Sequence, residues 1–298
     1  MRAHVALATC RRLGGLDADD AILAHEIERR GGRVAAPSWN DAGVDWLAYD
    51  AVLVRSAWDY VADIAGYRAW LDTLAEIETR GCAVFNAPAL MRQNIDKRYL
   101  LALEARGVPI VPTALLEQGQ SLAELVESRG FGEVVVKPVV SAGAHETFRA
   151  SAPITRRDER LAHKAAVIDG AALVQPYLDE IASGGELSLI YIDGRASHAV
   201  RKRPAAGDFR VQEQFGGACE PLAFDATLRA AGERALAAID GEVPLYARVD
   251  GVVRDGELLL MELELTEPSL FFGHAPASAG RLADALLARI SRRRAAPA

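Results

Sequence analysis

Cysteine is scarce in this chain: only Cys10, Cys82 and Cys219 occur among 298 residues. Odd in number and widely spaced, they fit neither a disulfide framework nor a paired-cysteine zinc site, and they point to a reducing cytoplasm. Long apolar runs are missing too. No stretch approaches the roughly 20 residues of a membrane span, and the first residues carry no sustained apolar segment of the kind that marks export. Positive charge is in deficit, with 34 Lys and Arg against 41 Asp and Glu and a net charge of −7, so a nucleic-acid-binding surface is not expected. The one basic cluster, Arg292-Arg293-Arg294, closes a predicted helix, where cations suit the dipole. There is no Gly-Lys-Ser or Gly-Lys-Thr and hence no Walker A loop. Internal repeats, low-complexity tracts and long linkers are absent as well.

What remains is an ordinary globular composition, 50% hydrophobic and 25% charged, long enough for two or three core-bearing units. Its beginning alternates strand and helix: strands over 5–9, 33–36 and 51–54, a helix over 18–30 capped by Asp17 and stopped by Gly31-Gly32, and a second helix whose face is Ile64, Tyr67, Trp70, Leu71, Leu74 and Ile77. Such alternation implies a parallel sheet covered by helices. Arg55 to Tyr60 follows a strand at its carboxyl end, where open α/β sheets place ligands. Arg55 there suits a carboxylate and Asp59 an ammonium group; an ordinary loop over Trp58 accounts for the same residues equally well.

Further on, a helix is expected from Asn94 to Arg106, with Lys97 in its first turn, and a strand over 133–138 ends at Lys137. The loop that follows, 139–147, is rich in small residues. A strand-end lysine and a small-residue loop together offer a polyphosphate a flexible point charge and approachable backbone N–H groups. Residues 173–178 run as a buried strand into a connection at Pro176, which suits an adenine ring beside free backbone groups, or a plain edge strand. A hairpin over 186–192 and 196–201 then ends in Arg201-Lys202-Arg203, followed by Arg210 and Gly216-Gly217.

The last hairpin turns at Asp255-Gly256. Along its second strand Met261, Leu263 and Leu265 alternate with Glu262 and Glu264, which puts both carboxylates on one face. A two-residue turn would set Asp250 against Met261 on the apolar face; an odd-numbered turn sets it against Leu260 on the carboxylate face, and the odd turn is expected. Three carboxylates on one rigid surface make a hard-oxygen site suited to Mg²⁺, or else a solvated strand face. Basic side chains facing such a wall describe the two sides of a phosphoryl-transfer site.

The order of these features resembles the ATP-grasp superfamily over nearly the whole chain. Tyr177-Leu178, Gly185-Glu186 and Lys202-Arg203-Pro204 are similar to glutathione synthetase. Gly207 to Arg210 with Gly216-Gly217 is similar to the ribosomal-protein glutamate ligase. The resemblance implies an α/β fold with an N-terminal parallel-sheet domain over 1–90, a small ATP-grasp lobe over 91–175 and a large lobe over 176–298. It implies that Lys97 and Lys137 bind ATP phosphates, Ser141, Ala142, Gly143 and Ala144 close over them, and Gln175, Tyr177 and Leu178 hold adenine. Glu186 would take the ribose hydroxyls, and Lys202 and Arg210 would stabilise the transferring phosphate with Lys137. In these relatives an Asp, a Glu and an Asn hold two Mg²⁺ ions; Asp250, Glu262 and Glu264 take their places, Glu264 adding a charge where they have an amide.

Within the superfamily, residues 54–60, 136–142 and 247–251 resemble the D-cycloserine synthetase group. That likeness implies ATP-dependent closure of O-ureido-D-serine to D-cycloserine through an acyl phosphate. Intermolecular amino-acid ligation and a non-catalytic nucleotide-binding regulator are the alternatives. Arg55, Asp59, Tyr60, Arg248 and Ser269 are the candidate contacts to an amino-acid-like substrate, and His145 the one candidate base. The oligomeric state, homodimer or homotetramer, is left open.

Overall fold

The computed structural model describes residues 2–212 and 215–295. Its first sheet is parallel, in the order β2-β1-β3-β4, from β1 (His4–Thr9), β2 (Arg33–Ala35), β3 (Ala51–Ser56) and β4 (Ala83–Phe85). Val5 to Ala8 and Ala51 to Val54 are fully buried, as central strands covered on both faces must be. Helix α1 (Ala18–Arg29) is capped by Asp17, which accepts from the Asp20 N–H at 2.7 Å. Helix α2 (Ile64–Thr79) buries Tyr67, Trp70, Leu71, Leu74 and Ile77, the face its spacing predicts. Strand β3 continues past Val54 to Ser56, so Arg55 belongs to the sheet and not to the loop beyond it.

The helix expected from Asn94 to Arg106 is two helices, α3 (Pro88–Asn94) and α4 (Tyr99–Ala105). The Asp96 carboxylate accepts from the Arg98 N–H at 3.0 Å, offering that backbone group an alternative to a helical bond. Lys97 sits in the break.

The second sheet is antiparallel, β5-β8-β6-β7, from β5 (Ala114–Glu117), β6 (Glu133–Pro138), β7 (Phe148–Ser151) and β8 (Ala171–Pro176). Strand β8 is interior, not an edge, and Pro176 closes it. With α5 (Leu122–Arg129) and α6 (Arg156–Val167) this sheet builds its own core, in which Val134, Val136 and Val174 meet Leu122, Val126 and Ala165.

After the short α7 (Asp179–Ser183), the third sheet runs β11-β10-β9-β12-β13, from β9 (Glu186–Ile192), β10 (Arg195–Arg203), β11 (Ala218–Leu222), β12 (Tyr246–Arg254) and β13 (Glu257–Glu264), with α8 (Ala226–Ala237) packed on it. Its core is continuous with that of the first sheet: Ile190, Val200 and Tyr246 pack in one cluster with Val5, Leu53 and Phe85. Asn86 adds polar ties, donating to the carbonyls of Tyr246 (2.9 Å) and Leu265 (2.7 Å). The closing helix α9 (Pro276–Ala295) returns to α1, where Arg30 meets Asp284 at 2.6 Å.

In the last hairpin Arg254 pairs with Glu257, so the turn at Asp255-Gly256 has two residues, not an odd number. Asp250 nevertheless pairs with Glu262, because the register shifts between Gly251, opposite Leu260, and Asp250. Met261 is the extra residue, and a bulge of one residue exchanges the faces.

Candidate active site

A cleft of about 880 Å³ is lined by β6 and β8 of the second sheet, by β10, β12 and β13 of the third, and by the loops after β1 and β3. At one end Val111, Leu178 and Ile181 form an apolar slot with Met261 beside it. Gln175 lies here too, buried, its amide donating to the Thr113 hydroxyl at 2.9 Å. Tyr177 does not line the cleft: its N–H is taken by the Glu133 carbonyl (2.8 Å) and its ring lies under the Arg149 guanidinium at 3.7 Å. The sequence singled out Leu178 of this slot but not Val111, Ile181 or Met261, which come from three other segments.

The middle of the cleft is ionic. Lys97 is buried, donating to the Ser141 carbonyl (2.5 Å) and meeting Glu262 at 3.0 Å. Lys202 reaches Glu186 at 2.5 Å and Asp250 at 3.6 Å. Burial opposes the charge on Lys202, but these two carboxylates outweigh it and hold the ammonium above its ordinary value. Lys137 differs. Among the described residues it makes no ion pair, and burial, against the pull of Glu262, lowers its ammonium below the usual value. Ser141, Ala142, Gly143, Ala144 and His145 line the cleft beside it. That loop turns through positive φ at Gly143 and Ala144 and is tethered beyond by Glu146 to Lys164 at 2.8 Å. His145 is exposed there. Arg210 lies at the rim, held by Asp208 at 2.7 Å and placed over Phe215 at 3.7 Å.

Asp250, Glu262 and Glu264 share one face of the hairpin, but they are not gathered about one point. Arg248 stands among them, donating to Asp250 (2.8 Å), to Glu264 and to the Ser269 carbonyl (3.1 Å). Asp250, only 2% exposed, also accepts from Ser188 at 2.5 Å. Burial would raise it, yet Arg248 and Lys202 win and hold it below the ordinary carboxylate range. Burial raises Glu264 to about 8 in spite of Arg248. No trio of His, Cys, Asp and Glu among the described residues is close enough to hold one ion. The donor set still fits Mg²⁺, which needs only one or two carboxylates. Glu262 and Glu264 offer hard oxygens at the cleft wall, while Asp250 is committed to cations behind them.

Two of the expected substrate contacts, Arg55 and Asp59, are taken up by other protein groups. Arg55, 2% exposed, is bound by Asp20 and by the Pro268 carbonyl, both at 2.8 Å. Asp59 accepts from the Trp39 indole at 2.6 Å. Tyr60 lines the cleft but is buried, its hydroxyl 3.4 Å from the Ser141 carbonyl. Arg248 and Ser269 do line the cleft. Asp17, Asp19 and Glu267 line it as well and were not foreseen.

Comparison with known proteins bears on the same geometry. Residues 5–86 match the model of the D-cycloserine synthetase DcsG N-terminal domain, and residues 102–244 that of the prokaryotic glutathione synthetase ATP-grasp domain. The cycloserine biosynthesis protein DcsG of Streptomyces lavendulae is 31% identical over 268 residues, 85% of this chain and 87% of that protein. The chain belongs to the DcsG family of ATP-grasp ligases. The crystal structure of D-cycloserine synthetase DcsG superposes with a TM-score of 0.85 at 28% identity, covering 96% of this chain and 99% of that one. Glutathione synthetase of Prochlorococcus marinus is 30% identical over 76% of this chain and 70% of its own. D-alanine–D-alanine ligase of Bacillus anthracis shares the fold alone, with a TM-score of 0.65 at 17% identity, covering 99% of each chain. As a DcsG-family member the chain is an ATP-dependent ligase that forms C–N bonds, and ATP with Mg²⁺ is general to the family. No helix among the described residues is long and apolar enough to cross a membrane.

Proposed function

We propose that this enzyme cyclises O-ureido-D-serine to D-cycloserine, consuming ATP in the cytoplasm. The observation that carries the phosphoryl-transfer part is Lys137: an ammonium with no ion pair among the described residues, at a strand end, in a cleft whose other wall is acidic. Such a group is an anion receptor waiting for phosphate. The likeness to DcsG supports the substrate.

In this reading the apolar slot of Val111, Leu178 and Met261 takes adenine, Glu186 the ribose hydroxyls, and Lys97 and Lys137 the phosphates. Glu262 and Glu264 would hold Mg²⁺, two ions as the resemblance implies, which neutralises phosphate charge when bound. Lys137 and Lys202, with Arg210 at the rim, stabilise the equatorial oxygens as the substrate carboxylate attacks the γ-phosphate in line. Loop 139–147 excludes water from the resulting acyl phosphate. The oxygen-bound nitrogen of the same substrate's ureido group then attacks its carbonyl and releases phosphate, so the second step gains from proximity. The carbamoyl group still on that nitrogen is lost to water as CO2 and ammonia to leave D-cycloserine. The domain division 1–90, 91–175 and 176–298 goes with this scheme, as does a homodimer or homotetramer, which light scattering would read.

Hydroxylamine trapping tests the activation step. Substrate, ATP and Mg²⁺ with hydroxylamine are expected to yield a hydroxamate in step with ADP. ADP released at a rate indifferent to the carboxylate substrate, with no hydroxamate, would sink the scheme.

A further inference from the structure

Glu267 follows β13 in the sequence Thr266-Glu267-Pro268 and lines the cleft. Its backbone is fixed: the Glu267 carbonyl accepts from the Trp58 indole at 3.0 Å, and the next carbonyl, that of Pro268, from buried Arg55. Its side chain is the unusual part. Among the described residues, every other carboxylate lining the cleft is engaged. Asp17 caps α1, and Asp19 accepts from the N–H groups of Leu270 (2.9 Å) and Phe272 (2.5 Å). Glu186 meets Lys202, Glu262 meets Lys97, and Asp250 and Glu264 share Arg248. Among the described residues Glu267 has no ion pair and accepts only from its own backbone N–H.

A half-buried carboxylate without a cation is costly to keep unless a ligand supplies one. Burial raises its carboxyl to about 7, with Lys97 working the other way. Two aromatic side chains, Trp58 and Tyr60, line the same cleft, and aromatic faces attract ammonium groups as well. Lys97 lies near enough to be felt, but it is spent on Glu262 and the Ser141 carbonyl, and Lys202 on Glu186. The corner is thus left to take an ion-pair partner from the substrate.

We infer that Glu267 receives the α-ammonium group of the amino-acid substrate, with Trp58 and Tyr60 beside it, and so sets the enzyme's preference for α-amino acids over their desamino counterparts. This deepens the ligase reading above and rests on it. The carboxylate to be activated is thereby held by its own ammonium at a fixed distance from the Lys137 side of the cleft.

The test is a binding measurement on the full chain loaded with Mg²⁺ and ADP, which permits no turnover. O-ureido-D-serine is compared by calorimetry with 3-(ureidooxy)propanoate, which carries hydrogen in place of the ammonium group. The wild type is expected to prefer the amino compound by about ten- to a hundredfold, the range of a charged hydrogen bond. Glu267→Gln, of the same shape, is expected to bind both alike with ADP affinity unchanged, and Glu267→Asp to keep part of the preference. A preference that survives in Glu267→Gln, or one absent from the wild type, overturns the assignment, as does a Glu267→Gln protein whose ADP affinity collapses. A parallel product assay separates the two claims: lack of cyclic product contradicts the cyclisation while the binding preference still reports on Glu267.

Discussion

Asp250 stands opposite Glu262 across the last hairpin because Met261 is an extra residue in β13. Without that bulge the two-residue turn would set Asp250 opposite Met261 and turn Glu262 and Glu264 to the other face, away from Asp250, Arg248 and the cleft. The place is marked by Gly251, where a Cβ would lie 2.4 Å from the Leu259 carbonyl oxygen. Gly251→Ala is therefore expected to cost about 1–3 kcal/mol through overpacking and to abolish turnover by shifting Asp250 from Glu262. Denaturant melts and ATPase assays check it; a stable, fully active variant would show that the bulge is dispensable.

Lys137 separates function from stability. Its ammonium has no partner among the described residues, so Lys137→Ala removes a desolvated charge and should leave the Tm unchanged or slightly raised. ATP affinity should fall by about ten- to a hundredfold, the loss of a charged contact to phosphate. A variant that melts early and binds ATP normally would place Lys137 in the framework instead.

Arg55 behaves in the opposite way. Its guanidinium neutralises Asp20 in a dry site, and both partners are 2% exposed. Arg55→Met leaves that carboxylate buried and unpaired, a change expected to cost about 3–5 kcal/mol. Whatever protein remains folded should bind substrate nearly as before. Thermal melts against substrate titrations distinguish this from a direct substrate contact, which would show normal melting and a raised KM.

These residues also show what the sequence made legible. Lys137 at its strand end and Glu262 and Glu264 by their alternation were legible locally and do line the cleft, whereas Lys97 and Glu186, which line it too, were singled out by the family resemblance. Arg55 was misplaced because its partner is 35 residues away and nothing local announces a buried pair. The hairpin face was foreseen for the wrong reason: a bulge without glycine or proline in its own strand leaves the alternation of Met261 to Leu265 looking regular. Glu267 went unread since an acid beside a proline has many uses, and only the engagement of its six neighbours singles it out.

Asp17 supplies a pH signature. Burial, with Asp20 adding to it, raises its carboxyl from 3.8 to about 6. The folded protein thus binds this proton more tightly than the unfolded chain. The associated stability is full below about pH 4 and is lost as pH rises through about 6. Asp17→Asn keeps a good helix cap and should raise stability by about 1–2 kcal/mol near pH 8, allowing for partial exposure, with little change near pH 4. Equal gains at both values would assign the effect to something other than this charge.

The most direct measurement is mass analysis of the products formed from ATP, Mg²⁺ and O-ureido-D-serine. Formation of D-cycloserine in step with ADP and phosphate, lost in Glu262→Ala, is the predicted result. No cyclic product, with a second amine consumed in its place, would contradict the account and make the enzyme an intermolecular ligase.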